Sequence, residues 1–209
     1  MFFDIDVQRR FGNVQLGAQF ESAAGITALV GRSGAGKSTI LNMIAGLVRP
    51  DRGRIVVGGR TLFDGRTNVA VHRRQAGYIF QDGRLFPHMK VRSNLRYGSR
   101  RSNGPAMISE DELIAFLGLE QLLDRWPASL SGGEARRVAI GRTLLSGARF
   151  LLMDEPLVSL DEERREEVLR TIERIRDELH VPILYVSHDS REIDRLAGKS
   201  VPVEPHLVS

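Results

Sequence analysis

The sequence predicts an α/β layered fold with a helical insertion, and three observations carry that expectation. Short apolar runs alternate with amphipathic helical patterns over most of the chain. The run Ile26-Thr27-Ala28-Leu29-Val30 leads straight into a glycine-rich loop that opens a helical pattern at Lys37. Between about Arg84 and Arg149 the clearest periodic segments are helical, and the strand pattern then returns at Phe150-Leu151-Leu152-Met153. We therefore expect an α/β core over about 1–84 and 150–209, with a helical subdomain over about 85–149.

Composition bounds the possibilities. A chain of 209 residues fits one large domain or two small ones. At that size roughly 70% of the unfolded surface can be buried, so no covalent staple is needed. The absence of cysteine excludes a disulfide framework and thiolate metal sites. No apolar run approaches the roughly 20 residues of a membrane span, and Met1-Phe2-Phe3-Asp4-Ile5-Asp6 lacks the basic start of a secretory signal. The formal charge is +4, and only Lys37, Lys90 and Lys199 are lysines, so arginine, the better fork for phosphates and carboxylates, carries almost all the positive charge. Acids interleave with the arginines and aromatics are only 6%, which argues against a stacking platform for single-stranded nucleic acid.

Each element has a local reason. The helix from Lys37 should run to about Leu47 and stop near Pro50. Arg54-Ile55-Val56-Val57 and Tyr78-Ile79-Phe80 read as strands, with turns at Gly58-Gly59 and Asp64-Gly65. Ser102-Asn103-Gly104-Pro105 reads as a loop. Ser109-Glu110-Asp111-Glu112 is a capping box in front of Leu113, Ile114, Phe116 and Leu117. After Asp161, Val168, Leu169, Ile172, Ile175 and Leu179 fall on one helical face, and Glu166 and Arg170 lie one turn apart on the other. Ile183-Leu184-Tyr185-Val186 is the last strong strand, with Pro182 at its first position.

Five features point to chemistry. Gly31-Arg32-Ser33-Gly34-Ala35-Gly36-Lys37-Ser38, followed by Thr39, fits G-x-x-x-x-G-K-[ST] between a strand and a helix. Glycines there let backbone N–H groups converge on one anion, and the helix start adds partial positive charge. Lys37 reaches β- and γ-phosphates and the Ser38 hydroxyl ligates Mg2+, so the loop calls for ATP with Mg2+ as cofactor. Leu151-Leu152-Met153-Asp154-Glu155 is a strand ending in two carboxylates, Asp154 as a second metal anchor and Glu155 as a base for water. Leu130-Ser131-Gly132-Gly133-Glu134 precedes a helix. It reads either as a plain capping box or as a second anion site, because two glycines are poor helix formers unless something must approach closely. Gln81 and His188 each end a strand, the edge where ligands collect in open α/β sheets, although a lone histidine is more often structural.

The loop at 31–38, Gln81, Leu130 to Glu134, Asp154-Glu155, Ser159-Leu160-Asp161 and His188, in this order, resemble the ATPase domain of ABC transporters. The resemblance covers about residues 1–197. The segment from Tyr78 to Gly98, together with Leu122-Leu123-Asp124-Arg125 and Leu184 to His188, is similar to the ATPase subunits of bacterial molybdate importers. The resemblance implies a P-loop ATPase acting as a head-to-tail dimer with a second copy of itself. Each ATP would lie between the P-loop of one copy and Ser131, Gly132, Gly133 and Glu134 of the other. It further implies Glu155 as hydrolytic base, with His188 and Gln81 at the γ-phosphate, metal or water. Ser38, Gln81 and Asp154 would hold the metal, Asp161 would touch the other subunit, and Phe11 would stack on adenine. Implied partners are transmembrane permease subunits and, indirectly, a periplasmic oxyanion-binding protein. The location would be peripheral, on the cytoplasmic face of the inner membrane, with no nucleic acid expected.

Two departures stand out. Arg136 occupies the place where relatives usually carry glutamine, two residues after Glu134. The match also fades beyond Ala197, so the C-terminal oxyanion-sensing domain of such relatives is expected to be absent. Alternative readings are a soluble ABC-type ATPase acting on nucleic acid or ribosomes, an importer for sulfate or tungstate, a small-molecule kinase and a non-hydrolysing nucleotide module.

Overall fold

The computed structural model describes residues 1–100 and 108–204 and the backbone of 206–207. The expected loop Ser102 to Pro105 lies outside the described residues. Two five-stranded sheets form the frame. The first is antiparallel and contains β1 (Phe3–Phe11), β2 (Val14–Ser22), β4 (Arg52–Val57), β5 (Arg60–Phe63) and β10 (His206–Leu207), in the order β10-β2-β1-β4-β5. The second is parallel and contains β3 (Ile26–Val30), β6 (Ala76–Ile79), β7 (Phe150–Asp154), β8 (Ile183–Val186) and β9 (Lys199–Pro202), in the order β6-β7-β8-β3-β9.

The two longest strands, β1 and β2, lie outside the elements the sequence predicts. Their signal is present, since Phe3, Ile5 and Val7 are buried and alternate with polar residues. The strands predicted at Ile26, Arg54, Tyr78, Phe150 and Ile183 are all found, with ends shifted by a residue or two. Pro182 stands just ahead of β8 rather than within it. Its carbonyl accepts the Leu151 N–H at 2.9 Å, so it still takes part in strand pairing as an acceptor.

Among the described residues six α-helices connect the strands: α1 (Lys37–Ala45), α2 (Val91–Arg100), α3 (Glu110–Leu117), α4 (Gly132–Leu145), α5 (Glu162–Asp177) and α6 (Ser190–Leu196). Helix α1 ends two residues earlier than expected. Gly46 turns left-handed there (φ 85°), and its N–H returns to the last turn. The fully buried Arg74 holds the same end, donating to the carbonyls of Met43 at 2.9 Å and Ile44 at 2.8 Å. Burial pushes its pKa down to about 10. Helix α3 carries the predicted capping box, with Ser109 accepting from the Glu112 N–H and Glu112 from the Ser109 N–H.

Two cores result. One packs α1 between the sheets, and Phe3 of β1 meets Phe150 of β7 edge-to-face at 5.9 Å. The other joins the opposite face of the parallel sheet to α2, α3, α4 and α5, including Leu95, Leu117, Val138 and Ile172. Val168, Leu169, Ile172 and Ile175 are the buried stripe of α5, as the periodicity predicts. Leu179 follows the end of that helix and is only partly buried. No described helix is long and apolar enough to cross a membrane.

Candidate functional site

Parallel pairing brings the expected chemistry to one edge. Strand β7 pairs with β6 and β8, and β8 pairs with β3, all in the same direction. Their C-terminal ends therefore stand in a row: Gln81 after β6, Asp154 and Glu155 at β7, His188 after β8, and Gly31 after β3.

The loop 31–36 sets the first helix. Gly36 is its N-cap, left-handed at φ 96°, with no side-chain cap and no acid in the first turn. Its left-handed φ favours glycine, and a Cβ there would also lie 2.8 Å from a methyl of Leu16, which would have to shift. The uncapped N–H groups of α1 are left for an anion. Lys37 is buried, and its Nζ donates to the carbonyls of Gly31 at 2.8 Å and Arg32 at 3.0 Å.

Asp154 joins the strand row to this helix. Its Oδ1 accepts from the Ser38 hydroxyl at 2.8 Å and its Oδ2 from the Tyr78 hydroxyl at 3.2 Å. Burial, then the neighbouring Asp154 charge, pushes the Tyr78 pKa up, so the phenol stays a donor. Tyr78 is a site residue that sequence reasoning missed, since nothing in an apolar strand marks one tyrosine as facing a carboxylate 76 positions away. Glu155 follows in the left-handed region (φ 46°), uncommon for a non-glycine residue. Its N–H is held by the Val186 carbonyl at 3.0 Å, and its Oε2 lies 3.6 Å from His188 Nδ1.

His188 is exposed, but its loop is fastened from beneath. Ser187 and Tyr185 donate to Glu192 Oε2 at 2.7 and 2.6 Å, and Arg165 of α5 bonds Glu192 at 2.5 Å and also Asp189. The Arg165 bond draws the Asp189 pKa down to about 2. This buried network also escaped sequence reading, because its members come from two helices and a strand.

The α4 start is built differently. Ser131 caps it, accepting from the Glu134 N–H at 3.2 Å while Glu134 Oε2 accepts from the Ser131 N–H at 2.7 Å. The capping-box reading therefore holds. At Gly132 a Cβ would meet a Leu160 methyl at 2.7 Å, the movable end of a partly exposed side chain. Asp161, expected at an inter-subunit contact, caps α5 within the chain by accepting from the Arg164 N–H at 3.0 Å. Phe11 stands on the antiparallel sheet, 44% exposed, with the Arg9 guanidinium 5.3 Å from its ring. A cavity of about 560 Å³ lies beside Gln81, Asp154, Gly132, Arg136 and Ser159. Among the described residues no three His, Asp or Glu side chains gather as a metal cage.

The ABC transporter family profile matches residues 19–158. The chain belongs to the ABC transporter family. Among curated ABC relatives, the molybdenum import ATP-binding protein ModC of Rhodospirillum rubrum is 53% identical over 201 residues, covering 95% of this chain and 54% of its own length. The ModC of Mesorhizobium japonicum is 54% identical over 200 residues, covering 94% of this chain and 54% of its own length. The chain thus spans about half the length of the curated relatives it matches. Among solved ABC structures, cbiO1 of Clostridium perfringens, part of the transporter complex cbiONQ, superposes with a TM-score of 0.83 at 23% identity, covering 97% of this chain and 84% of that one. The ATP-binding cassette MJ0796, dimeric and bound to ADP and Pi, gives a TM-score of 0.73 at 21% identity, covering 100% and 98%. These two establish the likeness of fold.

Proposed function

We propose that this chain is the ATP-hydrolysing subunit of an ABC importer whose cargo is an oxyanion, molybdate first. The observation that carries the hydrolytic reading is the bond between Ser38 and Asp154, which closes the uncapped start of α1 against a strand end bearing Glu155. The cargo reading is supported by the relatives named for molybdenum import.

In this reading the N–H groups of residues 34–38 and Lys37 take the β- and γ-phosphates. Lys37 exchanges its two loop carbonyls for phosphate oxygens of higher charge. The donors present suit Mg2+, which needs only one or two protein oxygens beside phosphates and water, and Ser38 and Asp154 supply them, with Gln81 lining the same cavity as Asp154. Bound Mg2+ would neutralise charge on the phosphate oxygens. Glu155 takes the proton of a water that attacks the γ-phosphorus, the β–γ oxygen bond breaks, and ADP and phosphate leave. His188, beside Glu155, offers a hydrogen bond to the γ-phosphate.

A second copy, head-to-tail, would present Ser131, Gly132 and Gly133 to that phosphate, with Asp161 near the joint. Phe11 would stack on the adenine. The segment after Gln81 and helices α2 and α3 would meet permease subunits at the cytoplasmic face of the inner membrane, with a periplasmic oxyanion-binding protein supplying the solute. The test is radiolabelled molybdate uptake in a strain deleted for this gene. The wild-type gene should restore uptake and the Glu155→Gln gene should not. Restoration by the variant, or restored uptake of sulfate with none of molybdate, would overturn the reading.

A further inference from the structure

The role of Gln81 depends on where its backbone is held, and the parallel sheet stops short of it, because β6 ends at Ile79. Two arginines of α4 reach the flanking backbone instead. Arg136 is only 6% exposed, and its Nη1 donates to the Phe80 carbonyl, the residue before Gln81, at 2.7 Å. Arg142 Nη2 donates to the Gly83 carbonyl, two residues after Gln81, at 3.3 Å. Arg142 also donates to Asn94 Oδ1 at 3.4 Å and lies 4.9 Å from the Phe86 ring centroid. Asn94 in turn accepts from the Phe86 N–H at 2.9 Å and donates to the Met89 carbonyl at 2.8 Å. Gln81 itself is exposed at the mouth of the cavity that Arg136 also lines.

Burying two guanidinium groups is costly, and here it lowers both pKa values. Among the described residues neither lies within ion-pair distance of a carboxylate, although the Asp82 charge acts on Arg136, and the Arg136 Nε has no hydrogen-bond partner there. A methionine would fill much of the same volume without that penalty. Burial of the cations is thus costly, and two of the directed bonds they make bracket one residue.

We propose that Arg136, near the start of α4, and Arg142, in its last turn, form a two-point clasp that positions Gln81, so that Gln81 follows helix α4 rather than the edge of the parallel sheet. Any displacement of the Ser131–Gly133 end is then carried to Gln81 within about one helical turn of Arg136. The inference rests on the proposed roles of Gln81 and of the α4 start in ATP hydrolysis. Arg136 is a positioning residue here, acting on turnover through Gln81.

The test is a double-mutant cycle on the purified chain, with kcat and KM for ATP measured for Gln81→Ala, Arg136→Met and the pair. Arg136→Met should lower kcat by about tenfold and leave KM within about twofold, and the double variant should be no slower than Gln81→Ala alone. Arg136→Lys, which keeps a donor, should recover part of the rate. Amide hydrogen exchange over residues 80–84 should quicken in Arg136→Met and stay unchanged in β1 and β2. Losses that multiply in the double variant, or exchange over 80–84 that does not change, would overturn the clasp. Full kcat in Gln81→Ala would instead remove the hydrolytic role of Gln81, and the exchange data alone would then decide whether the clasp exists.

Discussion

Two helices of this protein begin with glycines, and they solve the same electrostatic problem in opposite ways. Helix α1 starts at Gly36 with no side-chain cap, and the nearby lysine is folded onto its own loop. Helix α4 starts at Ser131 with both halves of a capping box closed. The open start has unsatisfied N–H groups and a cation able to release its partners. The closed start has spent one N–H on a serine and holds a glutamate in its first turn. The difference teaches that a glycine-rich helix start is only a permission, and that the cap decides whether an anion is needed to complete it.

The largest expected effect separates binding from turnover at the open start. Glu155→Gln should leave nucleotide affinity nearly unchanged and lower the hydrolysis rate by about 10²–10⁴. Normal hydrolysis in that variant would remove Glu155 from the site. Next, Lys37→Ala should weaken ATP binding by roughly 10–100-fold in a fluorescent-nucleotide titration, the size of a lost charged hydrogen bond. Unchanged affinity would mean that α1 binds no phosphate. At the closed start the pattern should reverse. Ser131→Ala should cost about 1 kcal/mol of stability in urea unfolding while the nucleotide affinity of the monomer stays the same. A loss of affinity there, with no change in stability, would erase the distinction between the two helices.

The smallest effect lies far from either start. The bond from Arg195, then that from Arg170, lowers the Glu166 pKa to about 2. A depressed carboxylate stabilises the fold above its unfolded value, near 4.3, and that contribution fades as pH falls toward 2. Arg195→Met should therefore narrow the stability gap to the wild type on the acid side, in unfolding curves between about pH 5 and 2, without touching nucleotide binding. A gap independent of pH would show that this pair carries no linkage.

The strand ends were legible because each is a short apolar run stopping at a polar residue. Ile26 to Val30, Phe150 to Met153 and Ile183 to Val186 need both faces buried, and such runs announce themselves. The capping boxes at Ser109 and Ser131 were legible too, because a cap spans only four residues. What escaped are contacts between distant segments. The Tyr78 hydroxyl on Asp154, the Glu192 network under His188 and the Arg136 bond to Phe80 depend on side-chain directions that only the assembled sheet defines. The antiparallel strands β1 and β2 form a different case, since their alternation is visible in Phe3, Ile5 and Val7 yet carries no motif to draw the eye.

The scarcity of lysine has a practical consequence. The three side-chain amines lie in three settings: Lys37 is buried in its loop, Lys90 is exposed, and Lys199 is exposed but bonded to the Glu21 carbonyl at 2.6 Å. Amine-directed reagents thus meet few handles at the surface, Lys90 one residue ahead of α2, Lys199 and the exposed Met1 amine, while the buried Lys37 of the loop is shielded from them.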